Sequence, residues 1–289
     1  MTEEEMLVLF LKEDVGDGDL SSSIFAAKSI STGQFVAKGA GIVAGVDLIQ
    51  KVYNAFSKEY GVGKKVTVEV KIADSELATG GSVIAEVKGS TQVLLSCERT
   101  ILNLMQRMSG IATATAIARS ELDDPKIQIL DTRKTAPGLR QFDKCAVRIG
   151  GGNNHRMGLY DMVMLKDNHI DFFGSITDAV AATRKQLKRL GKTDVKIEVE
   201  TRSAEQVKEA VVCNVDQIMF DNATPEKVKE FVKLVPKDIK TEASGGINLN
   251  NIATFSGCGV DYISLGFLTH SVQSLDISFQ AQCVHGSSA

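Results

Sequence analysis

Positive side chains concentrate in one stretch of an otherwise acidic chain. Residues 131 to 169 hold seven lysines and arginines against four aspartates, whereas the whole chain has a formal net charge of -3. Arginine binds carboxylate or phosphate through two parallel hydrogen bonds, and lysine adds a mobile point charge. Arg133, Lys134, Arg156 and Lys166 therefore predict a site for a small ligand with more than one negative group. The alternative is a solvated charged loop.

Two glycine-containing segments further along the chain are typical of phosphate binding. EASGGI places Ser244, Gly245 and Gly246 at the end of a predicted strand, and ISLGFLTHS repeats the arrangement with Gly266 and His270. A strand end followed by glycine and a helix N-terminus is the recurring phosphate site of α/β barrels. Either segment alone is equally compatible with a turn, and a lone histidine such as His270 is more often a packed or capping residue.

Carboxylates close to the same strand ends indicate a metal. Glu198, Glu200 and Asp221 offer oxygen ligands of the kind that Mg²⁺ prefers, together with phosphate oxygens and water. Ion pairing with the lysines is the alternative for each of them. No Ser-His-Asp or Cys-His spacing supports acyl transfer. A Schiff base on Lys134 or Lys166 stays open, because many barrel lyases place a lysine at a strand end.

The elements that must position these residues alternate between strands and helices. Six short apolar runs stop at a polar residue or a glycine: KIQIL before Asp131, MVML before Lys166, KIEV before Glu200, QIMF before Asp221, KTEA before Ser244 and YISL before Gly266. Amphipathic helices are predicted between the later runs, which is the pattern of βα units and a parallel sheet. An open doubly wound sheet would concentrate its polar residues at one switch point, so polar endings on every strand favour a barrel.

The strand VKIEVE gives the most detailed expectation. Side chains alternate along a strand, so Lys196, Glu198 and Glu200 are predicted to face the barrel axis while Ile197 and Val199 face the helices. An edge strand with a solvated charged face is the alternative.

The N-terminal part mixes a helical start, short strands and a long helical stretch from Val93 to Leu122, and is predicted to be α+β. The fold class predicted for the whole chain is α/β. We predict an N-terminal domain over residues 1–115 and a barrel over residues 116–271. The predicted boundary between them lies near the end of the long helix.

Composition excludes several classes of protein. With 43% apolar and 24% charged residues, the 289-residue chain can form a full-sized core, and its net negative charge argues against general binding to nucleic acid or anionic membranes. The acidic start MTEEEMLVLFLKED does not resemble a signal peptide, so we expect a cytoplasmic protein. The five cysteines are widely spaced without a CxxC pair, which indicates reduced and mostly buried thiols.

The segments that carry these motifs resemble, in order, the quinolinate phosphoribosyltransferase family, also called carboxylating nicotinate-nucleotide pyrophosphorylases. The matching strings are CERTILNLMQRMSGIAT, DTRKTAPGLR, GGGNNHRMGLYDMVMLKDNH, IEVE, MFDN, EASGGI and GVDYISLGFLTHS. They span residues 97 to 271, about 60% of the chain. The resemblance implies an N-terminal α/β sandwich domain joined by the C-terminal tail 272–289, and a TIM-like α/β barrel of about seven strands.

The resemblance also implies roles for individual residues. Quinolinate would be bound by Arg133, His155, Arg156 and Lys166, with Arg99 from the partner chain of a homodimer, possibly within a hexamer. Phosphoribosyl pyrophosphate would be bound by Lys134, Glu198, Asp221, Ser244, Gly245, Gly246, Gly266 and His270. Catalysis is assigned to Lys134, Lys166, Glu198 and Asp221, and Mg²⁺ to Glu198 and Asp221, directly or through water.

The implied reaction joins quinolinate to phosphoribosyl pyrophosphate and yields nicotinate mononucleotide, pyrophosphate and CO₂ in NAD biosynthesis. The alternatives are a nicotinate phosphoribosyltransferase that releases no CO₂, a Schiff-base lyase acting on a sugar phosphate, and a barrel that binds quinolinate without turnover. Surplus cations favour the dicarboxylate substrate over nicotinate.

Overall fold

Helices and strands alternate along most of the chain. The computed structural model describes residues 1–62 and 65–282. In chain order the elements are α1 (Glu3–Val15), β1 (Ile30–Ala37), β2 (Gly41–Ile42), α2 (Asp47–Glu59), β3 (Thr67–Val70), β4 (Leu77–Ala78), β5 (Val83–Ser90), α3 (Thr91–Leu122), β6 (Gln128–Leu130), α4 (Arg140–Ile149), β7 (Val163–Leu165), α5 (Asp167–Phe173), α6 (Ile176–Arg189), β8 (Ile197–Thr201), α7 (Ala204–Val212), β9 (Gln217–Asp221), α8 (Pro225–Val232), β10 (Lys240–Ser244), β11 (Tyr262–Ser264), α9 (Phe267–His270) and β12 (Ile277–Gln282).

The chain divides into two compact units. The first contains residues 1–114, 136–151 and the C-terminal residues from 272, and the second contains residues 115–135 and 152–271. Segment 136–151, which the sequence prediction includes in the barrel domain, belongs to the first unit. Its helix α4 is held there because Asp143 accepts two hydrogen bonds from the Arg107 guanidinium, at 2.7 and 2.8 Å, and Phe142 lies against Phe10 with ring centroids 5.9 Å apart.

The first unit is built on an antiparallel sheet with the strand order β12-β1-β5-β3. The C-terminal strand β12 pairs with β1 so that Phe35 lies opposite Phe279, and their rings are 5.1 Å apart. Helix α2 buries Ile49, Val52 and Tyr53 on one face, as its amphipathic spacing predicts. The predicted tail therefore contributes a strand to this sheet, and residues 283–289 of that tail, including Cys283, lie outside the described residues.

Helix α3 is continuous through Gly110, although glycine disfavours a helix interior by about 1 kcal/mol relative to alanine. A Cβ at Gly110 would collide with the carbonyl oxygen of Gln273 and lie 2.9 Å from the Cα of Ser274. The glycine is therefore required by the close approach of the backbone that precedes β12.

The second unit contains a parallel sheet of the six predicted strands, in the order β6-β11-β10-β9-β8-β7. This order is the chain order with the first strand placed beside the last, as happens when a sheet curls round on itself. At the free edge of β6, Leu130 forms a parallel bridge with Asn153, which occupies a seventh strand position. The predicted α/β fold with a barrel-like second part is confirmed.

Helix ends in this unit follow the sequence signals. Ser203 accepts a hydrogen bond from the backbone N–H of Gln206 at the start of α7, and Thr224 caps α8 with Pro225 in the first turn. The Gln206 side chain accepts a hydrogen bond from the backbone N–H of Arg202 rather than from that of Ser203, so the two residues do not form a full capping box.

Two further observations concern the helices and the cysteines of the described residues. Among the helices of the described chain, none combines the length and the apolarity needed to span a membrane. Four cysteines are free thiols, of which Cys97 and Cys258 are buried while Cys145 and Cys213 are partly exposed.

The backbone contact at Gly110 gives a prediction for stability. Gly110→Ala is expected to destabilise the protein by about 1–3 kcal/mol, because a rigid carbonyl cannot move away and this cost exceeds the gain in helix propensity. Urea unfolding measures the change. Gly39→Ala is the control, since its Cβ would make an ordinary 3.7 Å contact with Leu275. Equal stability of the Gly110→Ala variant and wild type would contradict the argument.

Candidate active site

The carboxyl ends of the barrel strands surround a cavity of about 520 Å³. Every strand of the parallel sheet contributes lining residues from its end or the loop that follows, as expected for the functional face of an α/β barrel. Ten candidate residues named from the sequence line it: Arg133, Lys134, His155, Arg156, Lys166, Glu200, Asp221, Ser244, Gly245 and Gly246.

Four cations define one side of this cavity. Arg133 and Lys134 follow β6, Arg156 follows the bridge at Asn153, and Lys166 follows β7. Arg156 donates to the carbonyl of Met162 at 3.2 Å and contacts the sulfur of Met164 at 3.6 Å. Burial and, second, the positive charge of Arg133 lower the pKa of Arg156. Cations that are partly desolvated and close to one another favour the binding of an anion between them.

His155 belongs to a buried cluster at the base of the cavity. Its Nε2 lies 3.1 Å from Glu198 and 3.4 Å from Glu242, and both carboxylates are fully buried. Gln217 donates from Nε2 to Glu198 at 3.0 Å and to Glu242 at 2.6 Å. Asp131, at the end of β6, accepts from the backbone N–H of His155 at 2.9 Å and so fixes the main chain there.

The cluster shifts the titration of its members. Burial alone lowers the pKa of His155, but the hydrogen bonds and charges of Glu198 and Glu242 outweigh it and raise the pKa to about 10. The backbone N–H of Arg156 faces Nδ1 at 2.7 Å and needs its lone pair, which acts against a second ring proton. Burial and the charge of Glu242 raise the pKa of Glu198. A proton on Nε2 would face both carboxylates.

A second group of carboxylates lies at the mouth of the cavity. Glu200 and Asp221 line it, and Lys166 approaches Glu200 to 3.5 Å. Arg202 lies 3.6 Å from Asp221 and 3.9 Å from Glu200, and donates to Asp167 at 2.8 Å. Burial raises the pKa of Glu200; Lys166 acts against this shift and Asp221 adds to it. A partly buried carboxylate with a second carboxylate beside it is a setting in which a divalent cation is favourable.

The loop after β10 has a backbone conformation that favours glycine. Gly245 and Gly246 have φ of 91° and 66°, which side chains rarely adopt. A Cβ on Gly245 would overlap the side chain of Asn222, which itself donates a backbone hydrogen bond to Ser244 at 2.8 Å.

Gly266 and His270 do not line the cavity but adjoin it. A Cβ on Gly266 would lie 3.1 Å from the His270 ring and 3.3 Å from the Lys134 side chain, and Thr269 donates to the Lys134 carbonyl at 2.8 Å. The loop after β11 thus supports Lys134.

Two of the predicted residues are placed elsewhere. Glu198 lies below the cavity with His155 and Gln217, so Glu200 rather than Glu198 stands beside Asp221. Arg99 lies on α3 of the first unit, where its side chain is 58% exposed and 3.9 Å from Glu98. The expectation that Lys196 faces the barrel axis is wrong, because β8 begins after it and its side chain is exposed.

Sequence reasoning missed Glu242, Gln217 and Arg202. Glu242 carried a usable signal, since it stands at an inward position of the strand KTEAS, two residues before Ser244. Gln217 and Arg202 carried none, because an amide at a strand start and an arginine before a helix are ordinary in surface positions.

The chain is similar to known proteins over most of its length. Residues 19–109 match the N-terminal domain model of quinolinate phosphoribosyl transferase, and residues 111–280 match its C-terminal domain model. A probable carboxylating nicotinate-nucleotide pyrophosphorylase of Bacillus subtilis is 49% identical over 276 residues, which cover 95% of this chain and 92% of that protein. The crystal structure of NadC from Streptococcus pyogenes has a TM-score of 0.88 at 39% identity, covering 96% of this chain and 95% of that one.

The geometry of the loop after β10 gives a prediction about anion binding. Gly245→Ala is expected to weaken binding of inorganic phosphate by about tenfold or more, because the new methyl group pushes Asn222 and the loop out of place. Isothermal titration with phosphate measures this. Gly174→Ala is the control, since Gly174 also has a positive φ, of 88°, but has nothing within 4 Å of its Cβ position. Unchanged phosphate affinity in a folded Gly245→Ala variant would contradict the assignment.

Proposed function

Because the chain belongs to the quinolinate phosphoribosyl transferase family, we propose that the cavity of the second unit converts quinolinate and phosphoribosyl pyrophosphate to nicotinate mononucleotide, pyrophosphate and CO₂. The chain is accordingly a phosphoribosyltransferase of pyridine nucleotide synthesis. The observation that carries the assignment of the site is the convergence of Arg133, Lys134, Arg156 and Lys166 on one cavity.

The cations suit the shape and charge of quinolinate, a pyridine with two adjacent carboxylates. Arg133 and Arg156 offer the paired N–H groups that carboxylates accept, and Lys166 supplies a further positive charge. Nε2 of His155 lies against the buried carboxylate of Glu198, and Nδ1 accepts a hydrogen bond from the backbone N–H of Arg156. His155 thereby helps to position Arg156 in the pocket wall.

The loops after β10 and β11 suit the 5-phosphate of the second substrate. Ser244, Gly245 and Gly246 leave room for an anion beside backbone N–H groups, and Gly266 and His270 adjoin Lys134. Lys134 lines the cavity beside Gly266, which supports a role for its ammonium group in binding the pyrophosphate.

Glu200 and Asp221 fit a magnesium ion, because they present carboxylate oxygens at the mouth of the cavity and the pKa of Glu200 is raised. When bound, Mg²⁺ would supply positive charge beside the departing pyrophosphate. Glu198, which the sequence analysis assigns to the metal, would act from its buried position through His155.

The proposed reaction proceeds in two steps. The cations hold the quinolinate carboxylates so that the ring nitrogen faces the anomeric carbon of the ribose, and carboxylates near that carbon stabilise positive charge as pyrophosphate leaves. The pyridine nitrogen becomes cationic when it bonds to the ribose. Its positive charge can then stabilise the carbanion left on the adjacent ring carbon when the neighbouring carboxylate departs as CO₂. That carbon takes up one proton to give nicotinate mononucleotide, so the decarboxylation needs no separate cofactor.

The assembly is proposed in the same way. A homodimer is the smallest active unit, with Arg99 of a second copy completing the quinolinate pocket, and a hexamer is a further assembly that the family resemblance allows. The exposed position of Arg99 on α3 supports a role toward another chain. The free thiols support a cytoplasmic location.

Turnover with release of CO₂ tests the proposal. Quinolinate labelled at the carboxyl group next to the ring nitrogen, phosphoribosyl pyrophosphate and Mg²⁺ should yield labelled CO₂ and nicotinate mononucleotide in equal amounts. In the same assay Arg133→Ala should lose about a hundredfold in kcat/KM, corresponding to about 3 kcal/mol for one preorganised cation. Arg189→Ala, an exposed position on α6, is the control.

Three results would contradict this function. Mononucleotide formed from nicotinate without CO₂ would indicate the non-decarboxylating transferase. A borohydride-trapped adduct on Lys134 or Lys166 would indicate the lyase, and quinolinate binding without consumption of phosphoribosyl pyrophosphate would indicate a binding protein. Near-normal turnover of Arg133→Ala would remove that residue from the site.

The two glutamates of β8 are predicted to differ in their effect on the metal. Glu200→Gln should raise the Mg²⁺ concentration required for half-maximal rate on the order of tenfold, whereas Glu198→Gln should leave this requirement unchanged and lower the rate. Because its pKa is raised, Glu200 takes up its proton at a higher pH than an ordinary glutamate does. The Mg²⁺ concentration that the wild type requires should therefore rise on acidification before the pH reaches the range in which an ordinary glutamate titrates.

Magnesium titrations of the steady-state rate between pH 5 and 8 measure both effects, with the exposed Glu226→Gln as control. A raised Mg²⁺ requirement in Glu198→Gln together with an unchanged one in Glu200→Gln would reverse the assignment.

A further inference from the structure

We propose that Gln217 is a positioning residue of the quinolinate pocket, because its amide holds the two buried carboxylates that fix the ring of His155. The identity of the ligand rests on the proposed function. The positioning role of Gln217 rests on contacts within the second unit. Gln217 lies outside the 520 Å³ cavity and acts through other side chains.

The position of Gln217 follows from the strand order. Strand β9 lies between β8 and β10, and Gln217 at its start pairs with Glu198 on one side and Lys240 on the other. Its amide nitrogen has two hydrogens, and it lies within hydrogen-bonding distance of Glu198 at 3.0 Å and Glu242 at 2.6 Å. One side chain therefore bridges carboxylates on both neighbouring strands.

The two carboxylates need such a donor. Glu198 and Glu242 are fully buried, and burying two acidic groups together is unfavourable unless hydrogen bonds or opposite charge compensate. Gln217 supplies neutral donors without a further charge, and His155 supplies a proton from Nε2 at 3.1 and 3.4 Å. Removing the amide leaves the carboxylates to repel one another and to separate.

The ring of His155 transmits this arrangement to the pocket. Nε2 faces the carboxylates, and Nδ1 faces the backbone N–H of Arg156 at 2.7 Å. The ring plane is thus set from both sides, by the carboxylates and by the main chain of the residue whose guanidinium lines the cavity. A change at the carboxylates alters the position of Arg156 relative to Arg133. This displacement lowers the affinity for a dicarboxylate more than the affinity for a sugar phosphate.

Gln217→Met is the variant to test, because methionine has a similar length without hydrogen-bonding groups. Gln217 lines a smaller cavity of about 250 Å³, which gives the new side chain room. Gln128→Met is the matched control, since Gln128 lines the same cavity and accepts from Asn153 at 3.2 Å but, within the described part of the chain, makes no side-chain hydrogen bond to Glu198 or Glu242.

The kinetic result expected is a split between the substrates. Gln217→Met should raise the KM for quinolinate by about tenfold, since a displacement of about 1 Å in a positioning group costs up to about a hundredfold. The KM for phosphoribosyl pyrophosphate should change less than twofold. Equal effects on both substrates, or none on quinolinate, in a variant that unfolds at the same temperature as Gln128→Met would overturn the inference.

Nuclear magnetic resonance of the enzyme alone gives a second readout. The chain has four histidines, so ¹⁵N-histidine labelling yields few signals, and a His155→Gln sample assigns the one of interest. In wild type the Nε2 proton of His155 should be visible and slow to exchange with water. In Gln217→Met it should broaden or disappear, while Gln128→Met should leave it unchanged.

The role of Gln217 and the proposed reaction can be tested separately. A wild-type enzyme that does not consume quinolinate would remove the proposed function, whereas the Nε2 signal would still test the role of Gln217. If Gln217→Met does not fold, Gln217→Asn keeps the amide but retracts it by one methylene, and should show the same split and the same loss of signal to a smaller degree. An unchanged quinolinate KM and an unchanged Nε2 signal in that variant would overturn the inference.

Discussion

The charge balance inside the barrel is the constraint on which the rest of the site depends. Arg133, Lys134, Arg156 and Lys166 surround one cavity, and cations held so close to one another are stable only with negative charge nearby. Glu198 and Glu242 supply part of it from below, and Glu200 and Asp221 supply part of it at the mouth. The four cations line the same cavity, so the space beside them is complementary to a small anion with several charges, which agrees with the family of the chain.

Depth along the barrel axis separates two roles for residues of the same type. Glu198 and Glu200 lie two positions apart on β8 and point to the same side of the sheet. The rise of about 6.6 Å between them places one in a buried cluster with His155 and the other beside Lys166 at the open end. The surroundings, rather than the residue type, decide that one glutamate supports a histidine while the other is available to a cation.

Backbone geometry complements these charges. Gly245 is required where the loop after β10 passes Asn222, and Gly110 is required where α3 passes the segment before β12. In both places a side chain would meet atoms that cannot easily move. The first contact shapes the loop that we propose as an anion site, and the second lies where the chain approaches the C-terminal strand of the first unit, so each glycine has a separate physical reason.

The sequence by itself determined the six barrel strands, the cation cluster and the glycine loops. These are local patterns, because alternation along a strand and turn chemistry depend on residues close in the chain. Only the tertiary structure decided that Glu198 is buried, that Gln217 bridges it to Glu242, that Arg202 joins the carboxylates at the mouth, and that segment 136–151 packs in the first unit. Those facts depend on the register of neighbouring strands and on how deep each strand lies in the barrel. Neither the register nor the depth can be read from the spacing of residues within one segment.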